Sequence, residues 1–386
     1  MVDKVIVAGC THSGLAVMRS LGKHGLYVIG LTHKATDFGL ASKYVKEKLI
    51  CPDPKNETAL VEFLLEKGPT LQGTFILEGT DAFAVVLSKH KAELSQYYKM
   101  VTPEWPILQQ FVEKHLSYEI ADACGVPHPK LFFPQSMAEF EEIAAQIQFP
   151  SIIKPTRSHE FVAVFGEKSF FVENLTDLRA QFQRTLDAKQ AVMIQEVIPG
   201  TDFGTLERLQ IYINSKGEVS AELFNIKLRQ TPPMFGVMRV GASVKPNPEV
   251  SELSHRLMQQ ANYRGYASIE FKRDPRDNQL KFIEANCRMP RSGQMAVSSG
   301  VDMPWIIYQD IVHDKQIKVD AYQPTYYIDL VADITNLILR DNKREFSLRD
   351  FLRPYLSRHK AFSIFSLSDL RPFLTYVGSR FRKINN

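Results

Sequence analysis

The sequence predicts a mixed α/β and α+β protein, with a parallel-sheet domain first, an α+β region next and a helical extension last. The chain opens with a strand, a glycine turn, a helix and a second strand over residues 4–31, which is the order of a βαβ unit. Pro103 and Pro106 mark a boundary after this first domain. Residues 267–285 alternate polar and apolar side chains on both sides of a turn, as an antiparallel hairpin does.

The first domain begins with predicted strands over 4–9 and 25–31 and a predicted helix over 15–24. The turn between the first strand and the helix lacks the GxGxxG dinucleotide fingerprint, and no lysine follows Gly14 as it does in a Walker loop. This turn either binds an anion through the amides of its helix or is only a tight turn.

Loops that follow parallel strands carry ligand sites, because the carboxyl ends of the strands meet at one edge of the sheet. Residues 74–77 form a further predicted strand, and Glu78-Gly-Thr-Asp81 follows it. His12 lies in the corresponding loop after the first strand. His12 and Asp81 are therefore candidate substrate residues.

The middle of the chain carries lysines in helical and apolar surroundings. Lys114 lies in a predicted helix over 107–123, and Lys154 ends a short apolar strand that begins at 149. A buried ammonium group is costly without an anion, so Lys154 indicates an anion site unless its side chain reaches solvent. Further helices are predicted over 137–146, 175–188 and 250–261, and further strands over 165–172, 191–196, 208–214 and 219–227.

The predicted hairpin places carboxylates against each other. If its turn is centred on Asp277, Glu270 and Glu284 lie opposite one another. Asn286 and Arg288 share the face of Glu284, because strand side chains repeat every two residues. Opposed carboxylates repel unless one is protonated or a cation lies between them. Two carboxylates and an amide oxygen suit Mg²⁺, and the alternative is a solvated edge hairpin with surface charges.

Composition limits the class of protein. The chain has 386 residues, 44% of them hydrophobic and 23% charged, as in a soluble globular protein of two or three domains. Its net charge is +4, yet residues 343–386 hold ten Lys and Arg against three Asp and Glu. Four scattered cysteines fit neither a disulfide framework nor a zinc site. The sequence shows neither a signal peptide nor a bilayer-spanning apolar run, so we expect a cytoplasmic protein.

Several short segments follow one another in the order and spacing of a known enzyme superfamily. They are Glu113-Lys114, Gly125-Val-Pro-His-Pro, Ile-Ile-Lys154-Pro, Ile-Gln-Glu196-Val-Ile-Pro-Gly, Lys227-Leu-Arg229, Ile-Glu270-Phe-Lys and Phe-Ile-Glu284-Ala-Asn286-Cys-Arg288. Over roughly residues 3–315 the chain therefore resembles the ATP-grasp superfamily. It looks most like the carboxylate–amine ligase branch, which includes D-aspartate ligases and resembles the ATP-binding domains of carbamoyl-phosphate synthases.

The resemblance implies an order of domains. A Rossmann-like pre-ATP-grasp domain would cover 1–106, a two-subdomain ATP-grasp domain 107–319 and a helical extension 320–386. A lid over about 150–200 would exclude water from the reaction. Many relatives have a glycine- and serine-rich loop after the strand lysine, but residues 156–166 contain one glycine. Arg157 and His159 are expected to substitute for its phosphate contacts.

The resemblance also implies residue roles in a reaction that needs ATP and Mg²⁺, with Mn²⁺ as the alternative metal. Lys114 and Lys154 would neutralise the phosphates of ATP. The residues implied to contact adenine and ribose are Glu196, Val197 and Asp202. The residues implied to hold the metal are Glu270, Glu284 and Asn286, and those implied to face the transferred phosphoryl group are Lys227, Arg229 and Arg288.

These roles imply a ligase that activates a carboxylate as an acyl phosphate and joins it to an amine, releasing ADP and phosphate. Its partners would be small-molecule substrates rather than nucleic acid, and a homodimer is expected. One alternative is a non-catalytic nucleotide-binding regulatory or scaffold protein. Another is an NAD-dependent oxidoreductase, although the glycine fingerprint is missing. The basic extension is either a helical appendage or a surface for an anionic carrier, a glycan or membrane headgroups.

Overall fold

A computed structural model describes residues 3–155, 161, 164–167, 169–200, 204–231, 236–339 and 347–384. Within these residues the chain forms sheets of five, four and seven strands, each built from consecutive strands. The predicted order, a parallel domain followed by an α+β region, is confirmed. Arg157 and His159, expected to substitute for the glycine-rich loop, lie outside the described residues.

The first sheet is parallel and contains the predicted βαβ unit. Its strands are β1 Lys4–Ala8, β2 Tyr27–Thr32, β3 Val45–Ile50, β4 Thr74–Glu78 and β5 Tyr98–Met100, in the spatial order β3-β2-β1-β4-β5. The surrounding helices are His12–Lys23, Glu57–Lys67, Asp81–Lys89 and Lys91–Leu94, with 3-10 turns at Phe38–Ala41 and Gly68–Leu71. Neither β3 nor β5 is evident in the sequence, because β3 is an edge strand with exposed lysines and β5 has three residues.

The first helix lies directly against the glycine turn that precedes it. A Cβ atom at Gly14 would lie 1.9 Å from the carbonyl oxygen of Gly9, and Gly9 itself has a φ of +99°. Only glycine fits both positions. Position 9 requires glycine because its backbone is left-handed, and position 14 requires it because of the close approach to Gly9. The two glycines of this turn are therefore explained by backbone geometry, without the need for a bound anion.

The predicted helix over 107–123 is two helices, Trp105–Val112 and Lys114–Ala123. Glu113 between them has an extended backbone, with φ −89° and ψ 110°. The break makes Lys114 the first residue of the second helix rather than a residue in the middle of a longer one. A periodicity argument misses such a break, because apolar residues continue on both sides of it.

The second sheet is the small four-stranded one. Its strands are β6 Leu131–Phe132, β7 Ser151–Pro155, β8 Phe170–Val172 and β9 Val192–Glu196, in the spatial order β6-β9-β7-β8. Helices Met137–Ile143 and Leu175–Asp187 and the 3-10 turn Ala144–Gln146 accompany it. Phe140 and Phe182 are fully buried, with ring centroids 5.1 Å apart, and join the two helices over the sheet.

The third sheet has seven strands and carries the predicted hairpin. Its strands are β10 Leu206–Ile213, β11 Val219–Thr231, β12 Val237–Ser243, β13 Gly265–Arg273, β14 Leu280–Asn286, β15 Tyr326–Ile328 and β16 Lys360–Phe362, in the spatial order β14-β13-β10-β11-β12-β15-β16. Helices Pro248–Gln260, Gly293–Ser299 and Met303–His313 follow its turns. Glu270 lies opposite Glu284 as predicted, and Ser268 lies opposite Asn286. The predicted turn centre at Asp277 is wrong by half a residue, because Arg273 pairs with Leu280, and a β-bulge between Glu270 and Phe271 shifts the register to give the Glu270–Glu284 pair.

The C-terminal extension contains helices Leu330–Leu339, Leu348–Leu356 and Arg371–Ile384. It is not wholly helical as predicted, because β15 and β16 add to the edge of the third sheet beside β12. Three-residue strands leave no readable period in a sequence, whereas an open sheet edge favours added pairing. In the described residues no helix is both long and apolar enough to cross a membrane.

Candidate functional site

A cavity of about 240 Å³ lies between the small second sheet and the large third sheet. We call it the first cavity. Strands β7 and β9 supply one wall, and β11, β13 and β14 supply the other, with Lys114 reaching in from its helix. Its charged lining residues are Lys114, Lys154, Glu196, Lys227, Glu270, Lys272 and Glu284.

Lys114 and Lys154 are cations in low-dielectric surroundings. The Lys154 ammonium donates a 2.6 Å hydrogen bond to Oε1 of Gln195 on the neighbouring strand. Burial, helped by the nearby positive charge of Lys114, lowers the pKa of Lys154 to about 8. Burial also lowers the pKa of Lys114, and Glu284 partly offsets this. Both groups would be stabilised in the charged form by an anion in the cavity.

Glu270 is a buried carboxylate held by two cations. The Lys227 ammonium lies 2.7 Å from Glu270 Oε1, and Arg208 donates to Oε2. Burial alone would raise the pKa of Glu270, but Lys227 and then Arg208 outweigh it and lower the pKa to about 2. Glu270 is therefore ionised at neutral pH, and its charge is balanced within the protein.

The remaining residues of the hairpin face lie closer to solvent. Asn286 donates from Nδ2 to Oε1 of Glu284 at 3.0 Å, and its Oδ1 accepts from Arg288 at 3.2 Å. Arg288 also makes a two-point ion pair with Asp81 of the first domain, at 2.9 and 3.1 Å. The predicted row of Glu284, Asn286 and Arg288 is thus continuous, and its far end is tied to the N-terminal domain.

The donor atoms of the hairpin suit a hard divalent cation. Glu270 and Glu284 stand directly opposite each other on paired strands, and the Asn286 amide lies on the same face, with its Nδ2 toward Glu284 and its Oδ1 toward Arg288. The described residues contain no cluster of three or more His, Cys, Asp or Glu side chains that could hold a metal. The hairpin offers two carboxylates and one amide oxygen, which are the ligand types that Mg²⁺ takes together with water and phosphate oxygens, although Lys227 and Arg208 contact the two oxygens of Glu270.

The predicted adenine-contact residues lie at the other end of the first cavity. Glu196 and Val197 both line it, but the Glu196 carboxylate accepts from the backbone N–H of Lys130 at 3.0 Å and pairs with Arg276. The backbone N–H of Val197 donates to the carbonyl of Pro150 at 3.0 Å. Asp202, predicted to bind the ribose, lies outside the described residues.

Arg229 is not among the described residues that line the first cavity. Its guanidinium forms a buried two-point ion pair with Asp333 of the C-terminal extension, at 2.8 and 2.7 Å. The Phe351 ring lies 4.8 Å from the same guanidinium. The resemblance implied a role for Arg229 beside Lys227, but the β11–β12 ladder is irregular between these two residues. The structure therefore gives Arg229 a structural ion pair.

A second cavity of about 410 Å³ adjoins the first and shares Lys227, Gly236 and Glu284 with it. Its wall brings together both candidate substrate residues, His12 and Asp81. The other charged residues of its lining are Arg208, Arg288 and Arg291. The buried hydroxyl of Ser292 lines it without a hydrogen-bond partner in the described residues, and Ser268 lines it next to Tyr266.

His12 belongs to a buried polar cluster at the edge of the second cavity. Arg291 Nη2 lies 2.6 Å from His12 Nε2 and 3.0 Å from Asp329, which also holds Arg239 at 3.2 Å. Burial lowers the pKa of His12 well below its usual value, and the nearby arginines lower it further. A neutral His12 therefore accepts from Arg291 and helps to aim that arginine.

Sequence reasoning missed the polar partners that complete both cavities: Gln195, Arg208, Arg276, Arg291 and Asp329. Arg208 pairs in register with Glu270, but the two residues are 62 positions apart and their strands are not consecutive. A polar side chain inside an apolar strand was the available signal, as at Gln195 before Glu196. The identity of each neighbour depends on strand order, which local patterns do not contain.

No protein-family model matches the chain. It is 25% identical over 254 residues to a D-aspartate ligase of Enterococcus faecium, covering 63% of this chain and 59% of that protein. It is 24% identical over 302 residues to the carbamoyl phosphate synthase large chain of Rubrobacter xylanophilus, covering 74% of this chain and 27% of that protein. The matched regions thus span less than two thirds of either relative.

Solved structures with the same fold include three ligases. N5-carboxyaminoimidazole synthetase from Staphylococcus aureus complexed with ADP has a TM-score of 0.66 and 14% identity, covering 87% of this chain and 85% of that one. The biotin carboxylase domain dimer of the Hydrogenobacter thermophilus 2-oxoglutarate carboxylase, with MgADP and bicarbonate, scores 0.65 at 17% identity, covering 84% and 73%. The L-amino acid ligase from Bacillus licheniformis scores 0.63 at 14%, covering 82% and 75%. These likenesses confirm the predicted fold, and the sequence similarity to the D-aspartate ligase confirms the resemblance to carboxylate–amine ligases.

Proposed function

We propose that this chain is an ATP-dependent ligase that activates a carboxylate as an acyl phosphate and joins it to an amine. The observation that carries the proposal is the meeting of lysines and carboxylates from separate segments in the first cavity. Apart from Glu196, which is paired with Arg276, four lysines there face two carboxylates. A polyanion that arrives with a divalent cation is the ligand that balances such a lining.

ATP is the polyanion we assign to the first cavity. Lys114 and Lys154 would neutralise its phosphates, and adenine would lie at the end formed by Glu196 and Val197. Because the Glu196 carboxylate is held by Arg276, its role toward adenine would be to shape that end rather than to accept a hydrogen bond. A ribose contact from Asp202 stays a prediction.

Mg²⁺ is the cation we assign to Glu270, Glu284 and Asn286, with Mn²⁺ as the alternative. When bound, it would neutralise charge on the phosphate oxygens. Lys227 already balances Glu270 and lines both cavities, so it is placed to stabilise the group passed from one to the other. Arg288, on the same face of the hairpin, would face the acyl phosphate from the second cavity.

The proposed chemistry has two steps. A carboxylate oxygen of the acid attacks the γ-phosphorus of ATP, the bond to the β–γ bridging oxygen breaks, and ADP leaves. An amine then attacks the acyl carbon, phosphate leaves, and the amine proton is lost to water or phosphate. The chain's cations act by position, because they screen the repulsion between two anions and are already in place.

The second cavity is where we expect the small-molecule substrates. Its lining of Arg208, Arg288 and Arg291, with the unpartnered hydroxyl of Ser292, favours an acid over a neutral compound. The cavities meet at Lys227 and Glu284, so an acid in the second would reach the γ-phosphate in the first. We also propose the domain limits 1–106, 107–319 and 320–386 with a lid at about 150–200. The homodimer and the cytoplasmic location stay predictions.

The experiment that tests this function measures ADP release from Mg-ATP with pooled carboxylic acids and hydroxylamine. Hydroxylamine intercepts acyl phosphates as coloured hydroxamates and does not require the acceptor site. We expect one pool to give ADP and hydroxamate together. Glu284→Gln should lower that rate by about a hundredfold or more, because the metal loses one of its two carboxylates.

The matched control is Glu119→Gln, which removes an exposed carboxylate from the helix that carries Lys114. It should leave the rate unchanged. Normal turnover in the Glu284→Gln variant would show that the metal assignment is wrong. Tight ATP binding with no ADP release in any pool would favour the non-catalytic regulatory protein instead.

A further inference from the structure

The helix Leu348–Leu356 exposes a row of leucines. Leu348, Leu352 and Leu356 are 66%, 39% and 78% exposed, and their spacing of four residues places them on one helical face. Single exposed leucines are common on protein surfaces and need no explanation. An aligned row of them marks an interaction surface, because the free protein gains nothing from exposing it.

The face of this helix next to the leucine row is anchored to the rest of the chain. The Phe351 ring lies 4.8 Å from the Arg229 guanidinium, and the Tyr355 hydroxyl donates to the Asp333 carboxylate at 2.5 Å. Arg229 and Asp333 are themselves buried partners of one ion pair. The leucine row is therefore presented outward by a fixed helix.

Positive charge is interleaved with the leucines. Arg349 and Arg353 are exposed on the same helix and line a shallow groove with Leu352 and Leu356. The acidic residues of this region that the structure describes are used internally. Asp350 caps the helix through Ser347, and the buried Asp369 pairs with Arg19 at 2.9 Å.

The same combination occurs again at the start of the last helix. Leu370 and Leu374 are 38% and 59% exposed, they are spaced by four residues, and the exposed Arg371 lies between them in sequence. Leu367 nearby is 86% exposed. Two separate segments of the extension thus combine outward leucines with arginine.

We propose that the surface formed by Leu348, Arg349, Leu352, Arg353 and Leu356, which we call the leucine–arginine surface, binds an anionic lipid bilayer. The exposed charged side chains between its leucines, Arg349 and Arg353, are cationic, whereas protein–protein interfaces centre on aromatic residues within a mixed polar rim. A helix of nine residues is only about 14 Å long, so it lies in the headgroup region and does not span the bilayer. This contact does not depend on the proposed ligase activity.

The test uses the full chain and flotation with lipid vesicles. We expect binding to vesicles with about 30 mol% phosphatidylglycerol in phosphatidylcholine, and none to pure phosphatidylcholine, because the arginines need anionic headgroups. Raising the salt concentration from about 50 mM to about 300 mM should weaken this binding, because the charges are exposed and screened.

Two variants separate the charged part of the surface from its apolar part. Arg349→Gln with Arg353→Gln should lower the partition coefficient about thirtyfold at low salt, since each basic residue contributes about tenfold or less. Leu348→Ser, Leu352→Ser and Leu356→Ser together should lower it about tenfold or more, because the leucines no longer bury apolar area. All five side chains are exposed, so thermal unfolding should be nearly unchanged, and this is measured alongside.

The matched control is Lys46→Gln with Lys48→Gln, which removes the same charge from exposed positions on β3. It should leave vesicle binding unchanged, and so should Ile50→Ser on the same strand. Three results would overturn the proposal: no binding at low salt, an equal loss in the β3 control, or an effect of the leucine variants on oligomeric state alone. The last result would assign the surface to contacts between copies of the chain.

Discussion

Binding of a nucleotide in the first cavity should draw a proton onto Lys154. In the free protein, burial and the charge of Lys114 lower the pKa of Lys154 to about 8. Phosphate oxygens beside the ammonium would favour its charged form and return the pKa toward the ordinary value of 10.5. The free protein would then be about half protonated at this position at pH 8 and about one tenth protonated at pH 9. The expected uptake is therefore about 0.5 proton at pH 8 and about 0.9 at pH 9.

Isothermal titration calorimetry with MgADP measures this uptake directly. The observed heat changes linearly with the ionisation enthalpy of the buffer, and the slope is the number of protons taken up. ADP suits the assay because it is not turned over and its phosphates are fully ionised above about pH 8. Lys154→Met should remove most of the slope and leave only the smaller share of Lys114, whose pKa is also lowered.

The matched control is Lys216→Met, in the turn between β10 and β11 and away from both cavities. It should keep the wild-type slope at both pH values. The reasoning would be refuted if MgADP bound with heats that did not depend on the buffer. It would also be refuted if Lys154→Met kept the full uptake.

The other predictions concern buried polar groups whose partners the structure identifies. The folded-state pKa of Glu270 is below its unfolded value, so its contribution to stability is present above about pH 4.5 and is lost as the pH falls toward about 2. Glu270→Gln should lower the free energy of unfolding, measured in urea at pH 7, by about 3 kcal/mol, because Lys227 loses its counter-charge. The variant should also lose less stability than the wild type between about pH 4.5 and about pH 2, because it lacks the titrating carboxyl. The folded-state pKa of His12 is also depressed, so the wild type should lose stability as the pH falls below 6.5, and an equal Tm loss in His12→Gln between about pH 7.5 and 5.5 would contradict this. Arg229→Met should lower the free energy of unfolding by about 3 kcal/mol, because the buried Asp333 loses its cationic partner. The variant should bind MgADP with unchanged affinity, and weaker binding would show that Arg229 contributes to the active site.

Local patterns predicted the elements that bear the site. Alternation predicted a hairpin with Glu270 opposite Glu284, and this pair is present. The register beside the turn differs by one residue from that predicted, with Arg273 opposite Leu280, and a β-bulge between Glu270 and Phe271 restores the pairing. The resemblance implied that Lys227 and Arg229 both face the transferred phosphoryl group, but of the two only Lys227 is among the described residues that line either cavity. The β11–β12 ladder shifts between these residues, and such an irregularity leaves no trace in an alternating sequence.

Contacts between distant segments could not be predicted. Strand β10 lies between β11 and β13, and this order alone sets Arg208 beside Glu270. The ion pair of Arg229 with Asp333 joins residues 104 positions apart and depends on β15 having joined β12. The neighbour of each strand depends on the order of strands in the whole sheet. The sequence of a single strand therefore shows which of its faces is polar but not which residues that face contacts.

The charges of the first cavity connect these local and long-range features. Glu270 is held mainly by Lys227 and Arg208. Burial is the main cause of the lowered pKa values of Lys114 and Lys154, and the nearby carboxylates, Glu284 for both lysines and Glu270 for Lys154, offset it only in part. The first cavity therefore has a shortage of negative charge around these two ammonium groups. A ligand that supplied only adenine contacts would leave the shortage in place and take up no proton. A ligand that brings phosphates must relieve it, and the uptake should therefore be larger at pH 9 than at pH 8.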